Sequence, residues 1–418
     1  MKSNWSPNRT PLFPIRQGSL LPIKPEQIRW YASKDMTAEG ESYRWHRYMP
    51  SVCSDGDMQA LRALLAGYTE AEIRRRLNIP NLEGYSMAYS EEFAATPVRT
   101  PLDALIRLFH DCLYASEAEL PADTLGLLGR LGLIARDPEL PGLVYATIAI
   151  LRVAGELTVC DRAGAPDGSD YPLQPDLVYP PIFDNTLRYL ASLPSTPSEA
   201  MLEMGTGTGI AAIMGARHAR HVWATDITAR AVHFAGLGCR LAGLDNVTLL
   251  EGGLYNPVEG LTFDRIAFHP PWVPAGRSTF AFGDGGEDGE TIIRGSIEGL
   301  PRFLRPGGRF YAMVVASDRV AEKFEQRVRR WLGAAEDQFD IALTELARDS
   351  PNGFLAQNLA RGSICERDIP WWIELWKATR TEAIVYGNLM VQRHESEREP
   401  VTSRAPFRSG PGSSMEPA

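Results

Sequence analysis

Residues 202–210 read Leu-Glu-Met-Gly-Thr-Gly-Thr-Gly-Ile, LEMGTGTGI, and this stretch decides the fold. Met201 and Leu202 lead into Glu203. Gly205, Gly207 and Gly209 alternate with Thr206 and Thr208, and Ile210–Met214 begins a helical run. The pattern predicts a strand, a tight glycine turn and the first turn of a helix. Glycine is needed where the backbone takes positive φ or comes close to a ligand. The helix that follows points its free N–H groups back into the turn. Asp226 stands 21 residues after Gly205, at the end of a second apolar stretch, residues 221–225. An acid at the tip of the next strand is placed to hydrogen-bond ribose hydroxyls. The spacing is Gly-x-Gly-x-Gly, not the Gly-x-Gly-x-x-Gly of dinucleotide folds. Glu203, two residues before the first glycine, suits a cationic ligand better than a phosphate.

Outward from this unit the chain alternates strand and helix, the signature of a parallel α/β sheet. Strands are predicted near 200–204, 221–226, 247–251, 264–268 and 309–316, and helices near 209–217, 228–242, 288–305 and 319–333. Two further strands, 339–346 and 382–392, flank a helix at 371–379. Residues 179–394 therefore form one α/β domain, opened by a helix that reaches Leu193. Residues 161–178, dense in Gly, Asp and Pro, read as a linker. Residues 55–160 read as helices followed by strands over 143–151 and 156–160, joined by a turn at Ala154-Gly155. That is a smaller helical, winged-helix-like domain. Residues 1–54 are an arm rich in proline and aromatics, with Arg29-Trp30-Tyr31 and residues 43–48 as its densest parts. Residues 395–418 are polar, rich in Pro, Gly and Ser, and read as a disordered tail.

The chain has 418 residues and a formal charge of −9, from 43 basic and 52 acidic side chains. That balance argues against a protein that coats nucleic acid, which needs clustered Lys and Arg. The five cysteines make no CxxC and no zinc spacing, so no metal site is expected and a reduced, cytoplasmic setting is. No run of about 18 apolar residues is present, so no membrane span is expected.

A second motif follows the strand Phe263–Phe268: His269-Pro270-Pro271-Trp272. Two prolines stiffen a loop, and Trp272 offers a flat face. A third stretch, Gly283-Asp284-Gly285-Gly286-Glu287-Asp288-Gly289, combines glycines with acids ahead of a helix. Together with the glycine turn, these motifs resemble class I S-adenosylmethionine (SAM) methyltransferases. The resemblance covers about 175–392. Within that class it points to the group of release-factor glutamine and small-domain ribosomal RNA guanine methyltransferases, whose loop reads Asn/Asp-Pro-Pro-aromatic. It implies a Rossmann-like seven-stranded sheet ending in an antiparallel hairpin, with SAM as cofactor. By that resemblance Glu203 balances the ammonium end of SAM, and the turn Gly205, Thr206, Gly207 and Gly209 passes under its methionine and ribose. Asp226 binds the ribose, and Ile227, Gly253, Leu254 and the His269 loop surround the rest. His269 and the Pro270 carbonyl then accept N–H bonds from the methyl acceptor, and Trp272 stacks on it.

His269 departs from the relatives' Asn or Asp. An imidazole can take a proton, which a carboxamide does not. An amine or guanidine must lose a proton before it can attack, so a base in this loop favours such an acceptor. Asp284, Glu287, Asp288 and Glu290 are then carboxylate partners for a guanidinium; their other reading is as helix caps. The main expectation is a small-molecule amine or guanidine, free L-arginine being one concrete case, methylated by a homodimeric enzyme. One alternative is methylation of a protein glutamine amide or an rRNA guanine. A second is a SAM-binding module without catalysis.

Overall fold

The computed structural model describes residues 49–51, 54–82, 90–162, 164–169, 171, 173–274, 278, 280–360 and 364–407. The aromatic and basic stretches expected in the N-terminal arm lie outside the described residues.

The N-terminal part opens with helices α1 (Asp55–Leu64), α2 (Glu70–Leu77), α3 (Glu91–Ala95) and α4 (Pro101–Phe109). Side-chain caps start them. Ser54 accepts from the Asp57 N–H, and Thr100 and Asp103 form a reciprocal capping box ahead of Pro101. Strand β1 (Ala115–Ser116), helix α5 (Ala122–Arg130), and strands β2 (Ile134–Arg136) and β3 (Leu143–Ala146) follow; the strands pair antiparallel in the order β1-β3-β2. The single strand expected over 143–151 is in fact two. Thr147 breaks it, donating its N–H to Leu133 and its hydroxyl to the Gly132 carbonyl. The chain then enters a separate hairpin, β4 (Ala149–Val153) and β5 (Glu156–Cys160). Its turn residues Ala154 and Gly155 both have positive φ, 50° and 83°, which suits the twist of a two-residue hairpin.

Beyond helix α6 (Asp184–Ser192) the elements alternate: β6 (Ser198–Met204), α7 (Ile210–Ala216), β7 (Ala219–Asp226), α8 (Ala229–Leu241), β8 (Val247–Glu251) and β9 (Phe263–Phe268). Helices α9 (Thr291–Glu298) and α10 (Leu300–Phe303) precede the long β10 (Leu304–Arg319). Then come α11 (Phe324–Trp331), β11 (Phe339–Asp349), α12 (Pro351–Ala360), α13 (Ile369–Thr379), β12 (Thr381–Arg393) and β13 (Thr402–Pro406). The sheet order is β13-β11-β12-β10-β9-β6-β7-β8, parallel from β10 to β8, with β12 antiparallel to both neighbours.

The expected α/β sheet is present with eight strands rather than seven. The eighth, β13, lies in the stretch read as a disordered tail and pairs parallel to β11. Charge holds it. Arg404 reaches Asp318 at 2.7 Å, Glu325 at 2.5 Å and Glu345 at 3.3 Å. Hairpin β4–β5 packs on α7 and α8, so one apolar core runs from Met58 through Leu157 to Phe234 and Leu241. A buried pair, Arg230 to Asp161 at 2.5 Å, fastens the start of the linker to α8.

Candidate functional site

The four strands β8-β7-β6-β9 end together, and the loops beyond their carboxyl ends form a crevice, the usual ligand position in an open α/β sheet. Glu203, near the end of β6, is 3% exposed and accepts the Thr206 hydroxyl at 2.6 Å. Burial pushes its carboxyl up to about 8. Gly207 has φ 53°, and a Cβ there would meet nothing within 4 Å. It faces open space in the crevice, which any L side chain would fill. Its N–H donates to Asp226 Oδ2 at 3.0 Å, while Asp226 Oδ1 accepts the Thr228 N–H and hydroxyl, each at 3.0 Å. Asp226 thus ties the turn to the start of α8; Oδ1 already accepts two bonds and Oδ2 one, which leaves an acceptor position on Oδ2 for a ribose hydroxyl. Gly209 begins α7, and Gly205 lies against the ring of Phe268.

Ile227 is 60% exposed, a high value for isoleucine. Gly253 lies beside it, its Cβ position 3.6 Å from Ile227 Cγ2, and Leu254 follows with φ 49°. The Gly252 N–H donates to the Asp226 carbonyl at 2.8 Å, which holds this loop against β7. Gly253 carries no acid for an adenine amino group, but an exposed isoleucine over bare backbone leaves a flat apolar slot. A buried acid, an open glycine, ribose-type acceptors and a flat slot are what SAM would need. Among the described residues no cluster of His, Cys, Asp or Glu could hold a metal ion.

Across the crevice, His269 follows β9. Its ring lies 5.3 Å from that of Tyr189 on α6. Desolvation pulls its pKa down to about 4, so the imidazole is neutral at physiological pH. Pro270 is buried, and Trp272 meets Phe354 edge-to-face at 5.7 Å. The glycine-acid stretch buttresses this loop. The Val273 N–H donates to Gly283 at 2.9 Å, and the Gly285 N–H to Val273 at 2.7 Å. A Cβ on Gly289 would sit 2.4 Å from the Trp272 carbonyl oxygen, so glycine is required by close approach.

Two acids of this stretch, Asp288 and Glu290, are held by arginines of the protein itself, while Asp284 is exposed and accepts the Gly286 N–H at 2.9 Å. Asp288 Oδ1 accepts the Glu290 N–H at 3.0 Å ahead of α9, and its Oδ2 lies 3.1 Å from Arg294 and 3.4 Å from Arg319. Glu290 is buried and paired with Arg327 at 2.7 Å and Arg319 at 3.2 Å. Glu287 is exposed. Asp288 and Glu290 are thus already engaged by arginines of the protein, and an imidazole of pKa about 4 is too weak a base to take a proton from an ammonium group.

The resemblance lays the helix before the glycine turn over the cofactor, with Phe183 and Asp184 as site candidates; the other residues near it were not anticipated. The Tyr189 hydroxyl is buried without a hydrogen-bond partner among the described residues. Tyr179, Phe183 and Phe282 form a stack, with ring centroids 4.7 Å apart at each step, where α6 begins. Asp184, at the start of α6, is exposed and bonded to Arg188 at 2.6 Å. The α12–α13 pair supplies Phe354, Trp372 and Trp376 behind Trp272. No helix among the described residues is long and apolar enough to cross a membrane.

Comparison with known proteins bears on the chemistry. Residues 183–339 match the family described as "Methyltransferase small domain". A "Putative protein N5-glutamine methyltransferase" of Methanocaldococcus jannaschii is 33% identical over 165 residues, 38% of this chain and 80% of that protein. A release factor glutamine methyltransferase of Moorella thermoacetica is 34% identical over 143 residues, 31% of this chain and 50% of that protein. A ribosomal protein uL3 glutamine methyltransferase of Bradyrhizobium diazoefficiens is 30% identical over 161 residues, 35% of this chain and 50% of that protein. The chain thus spans most of the archaeal relative and about half the length of the two bacterial ones. These names overturn the expectation of a small amine or guanidine, L-arginine included, as acceptor and partner, in line with the neutral His269 and the pairing of Asp288 and Glu290. With its glycine turn, its proline loop and this degree of identity, the chain belongs to the methyltransferase small domain family of SAM-dependent N-methyltransferases.

Proposed function

We propose that the protein transfers a methyl group from SAM to the side-chain amide nitrogen of a glutamine within another protein. The observation that carries this reading is the likeness to relatives named for protein glutamine methylation, the archaeal one across 80% of its length. SAM supplies an electrophilic methyl on a sulfonium centre. Glu203, Gly207, Asp226 and the slot at Ile227 and Gly253 hold it. His269 and the Pro270 carbonyl accept the two amide N–H bonds, which fixes the nitrogen in line and draws electron density onto it. Trp272 covers the amide plane.

An amide nitrogen is too weak an acid for any side chain to deprotonate before attack. Once methylated it bears a positive charge and is strongly acidic. An imidazole with pKa about 4 is then base enough to receive that proton. The neutral state of His269 thus fits an amide and not an amine. The four described cysteines, Cys112, Cys160, Cys239 and Cys365, are free thiols, in keeping with a cytoplasmic setting for such a reaction.

The test is incubation with methyl-labelled SAM against ribosomal protein, soluble protein, RNA and small-metabolite fractions of a bacterial lysate. Label is expected in protein, on a methylated glutamine located by mass spectrometry. Label confined to RNA or to small metabolites refutes the proposal.

A further inference from the structure

Strand β10 outruns its parallel neighbour. β9 ends at Phe268, opposite Ala312, whereas β10 continues to Arg319 and pairs over that length only with β12. The overhang is about 20 Å long at roughly 3.3 Å per residue. Strands β11 and β12 are antiparallel neighbours that a short turn could join. Their connection instead carries α12 and α13, which pack on the overhang beside residues 269–274. Phe354, Trp372, Trp376 and Ile384 form an apolar cluster there, separate from the main core, and Trp272 and Val315 pack against it. A pocket of about 40 Å³ opens at this junction, with Trp272, Trp376, Leu375 and Val315 in its lining and Arg319 among its polar groups.

We propose that this pocket is a specificity subsite for the substrate protein. It seats a small aliphatic side chain within two positions of the acceptor glutamine in the peptide chain. The inference rests on the glutamine reading above and adds the sequence context that the protein selects.

Position, size and charge each bear on the choice of occupant. Trp272 belongs both to the acceptor loop and to the pocket wall, so the pocket adjoins the loop that would hold the glutamine. The volume is about three times the ~10–15 Å³ that one water requires, room on the scale of a small aliphatic side chain. The charged groups at the polar end are already ion-paired with one another. Arg319 lies 3.4 Å from Asp288 and 3.2 Å from Glu290, and Glu290 is also paired with Arg327 at 2.7 Å. A charged side chain would lose its water and have to compete with these ion pairs for its counter-charge. An aliphatic one loses only unfavourable contact with water against Trp376, Leu375 and Val315.

The experiment uses short alanine-based peptides with one central glutamine. Ala, Val, Leu, Phe, Lys or Glu is placed at each position within two of it, and initial methylation rates are measured with the full-length protein. At one position Val or Leu should lower KM about tenfold relative to Ala, the worth of one or two buried methylenes, with kcat unchanged. Phe, Lys and Glu should give no gain. Leu375→Trp, which fills the pocket from its rim, should raise KM for the Val and Leu peptides to that of the Ala peptide. Leu375→Ala, which enlarges the pocket, should move the preference toward Phe. If only intact proteins are methylated, the same substitutions are made beside the modified glutamine in that protein. Equal KM for every flanking residue, or a preference that survives both Leu375 variants, overturns the subsite while leaving glutamine methylation standing. Absence of methylation on any glutamine overturns both.

Discussion

Glu203 gives the sharpest test of the cofactor reading, because its ionisation must change when a cation binds beside it. In the free protein its carboxyl is pushed up to about 8 by burial, against 4.5 for an ordinary glutamate. At pH ~6.5 it is therefore almost fully protonated. A cationic ammonium placed at the crevice favours the carboxylate and pulls the pKa back toward the ordinary range, about 5 or below. Binding of SAM at pH ~6.5 should then release close to one proton. Calorimetry in buffers of different ionisation enthalpy measures this directly. Affinity should tighten about tenfold per pH unit between pH ~5.5 and ~7.5. Glu203→Gln keeps the shape and the hydrogen-bonding reach but cannot titrate. It should bind more weakly and release no proton, which also controls for the amine of SAM itself. Binding heats that do not depend on the buffer, or equal proton release from the Gln variant, would refute the reasoning. The same shift fixes a stability trend. Between pH 4.5 and about 8 the folded carboxyl keeps its proton while the unfolded one loses it, so the free protein loses stability as pH rises through that window. Glu203→Gln should flatten this slope in urea titrations.

The remaining predictions follow from individual contacts. Asp226→Ala should weaken SAM binding by about 1.5–3 kcal/mol by calorimetry, the scale of hydrogen bonds to a charged group. Gly207→Val should abolish SAM binding, because its side chain fills the open space of the turn, and should also cost about 1–2 kcal/mol of stability, because a β-branched residue is strained at φ 53°; normal binding would remove this turn from the site. His269→Asn restores the relatives' residue and should stay within about tenfold of normal turnover, whereas His269→Ala should lose about 10–100-fold, the worth of one hydrogen bond to the reacting group. With the imidazole neutral well below pH 7, neither variant should gain a new pH dependence above pH ~5.5, and rescue of His269→Ala at high pH would revive a proton-abstracting base. For Asp318, burial alone would raise the pKa, but hydrogen bonds from Arg404 and Arg348 hold the carboxyl well below the ordinary range. Its contribution is present above the ordinary carboxylate pKa and is lost as pH falls through the lowered folded value, so Arg404→Met should cost about 1.5–3 kcal/mol at neutral pH and move acid unfolding to higher pH.

The parts of this fold that were legible in the sequence are those made by neighbours along the chain. LEMGTGTGI forms a strand, turn and helix from its own residues, and Asp226 meets Gly207 because one strand–turn–helix unit fixes the distance between them. The position of the His269 loop follows from the apolar run before it. The chemical state of His269 was not legible. Its low pKa comes from burial, with Tyr189 of α6 far along the chain lying over its ring. Asp288 looked available because its pairing with Arg294 needs the turn into α9 to form, and its second partner, Arg319, comes from the distant strand β10. Helix α12 was missed because Pro-Asn-Gly-Phe-Leu-Ala-Gln-Asn-Leu-Ala offers few apolar anchors; it is held by aromatics of α13 and by Trp272. Strand β13 has no apolar alternation, Thr-Ser-Arg-Ala-Pro, and is fixed by carboxylates at positions 318, 325 and 345.

That last strand has a consequence for how the chain folds during synthesis. β13 is the last described strand in sequence, yet it covers the outer edge of β11, more than fifty residues upstream. Until residues 402–406 have left the ribosome, β11 has one side paired with β12 and the other bare, and a bare strand edge is a template for pairing with another chain. Over the same interval Asp318, Glu325 and Glu345 lack Arg404, so their mutual repulsion, relieved only in part by Arg348, works against closing that corner. The sheet is thus completed by a late, long-range pairing, the kind of contact that slows folding and prolongs exposure to aggregation. Yield of this protein should respond more to the rate at which residues 350–406 are synthesised than to any change in the glycine turn, whose unit is finished well before them.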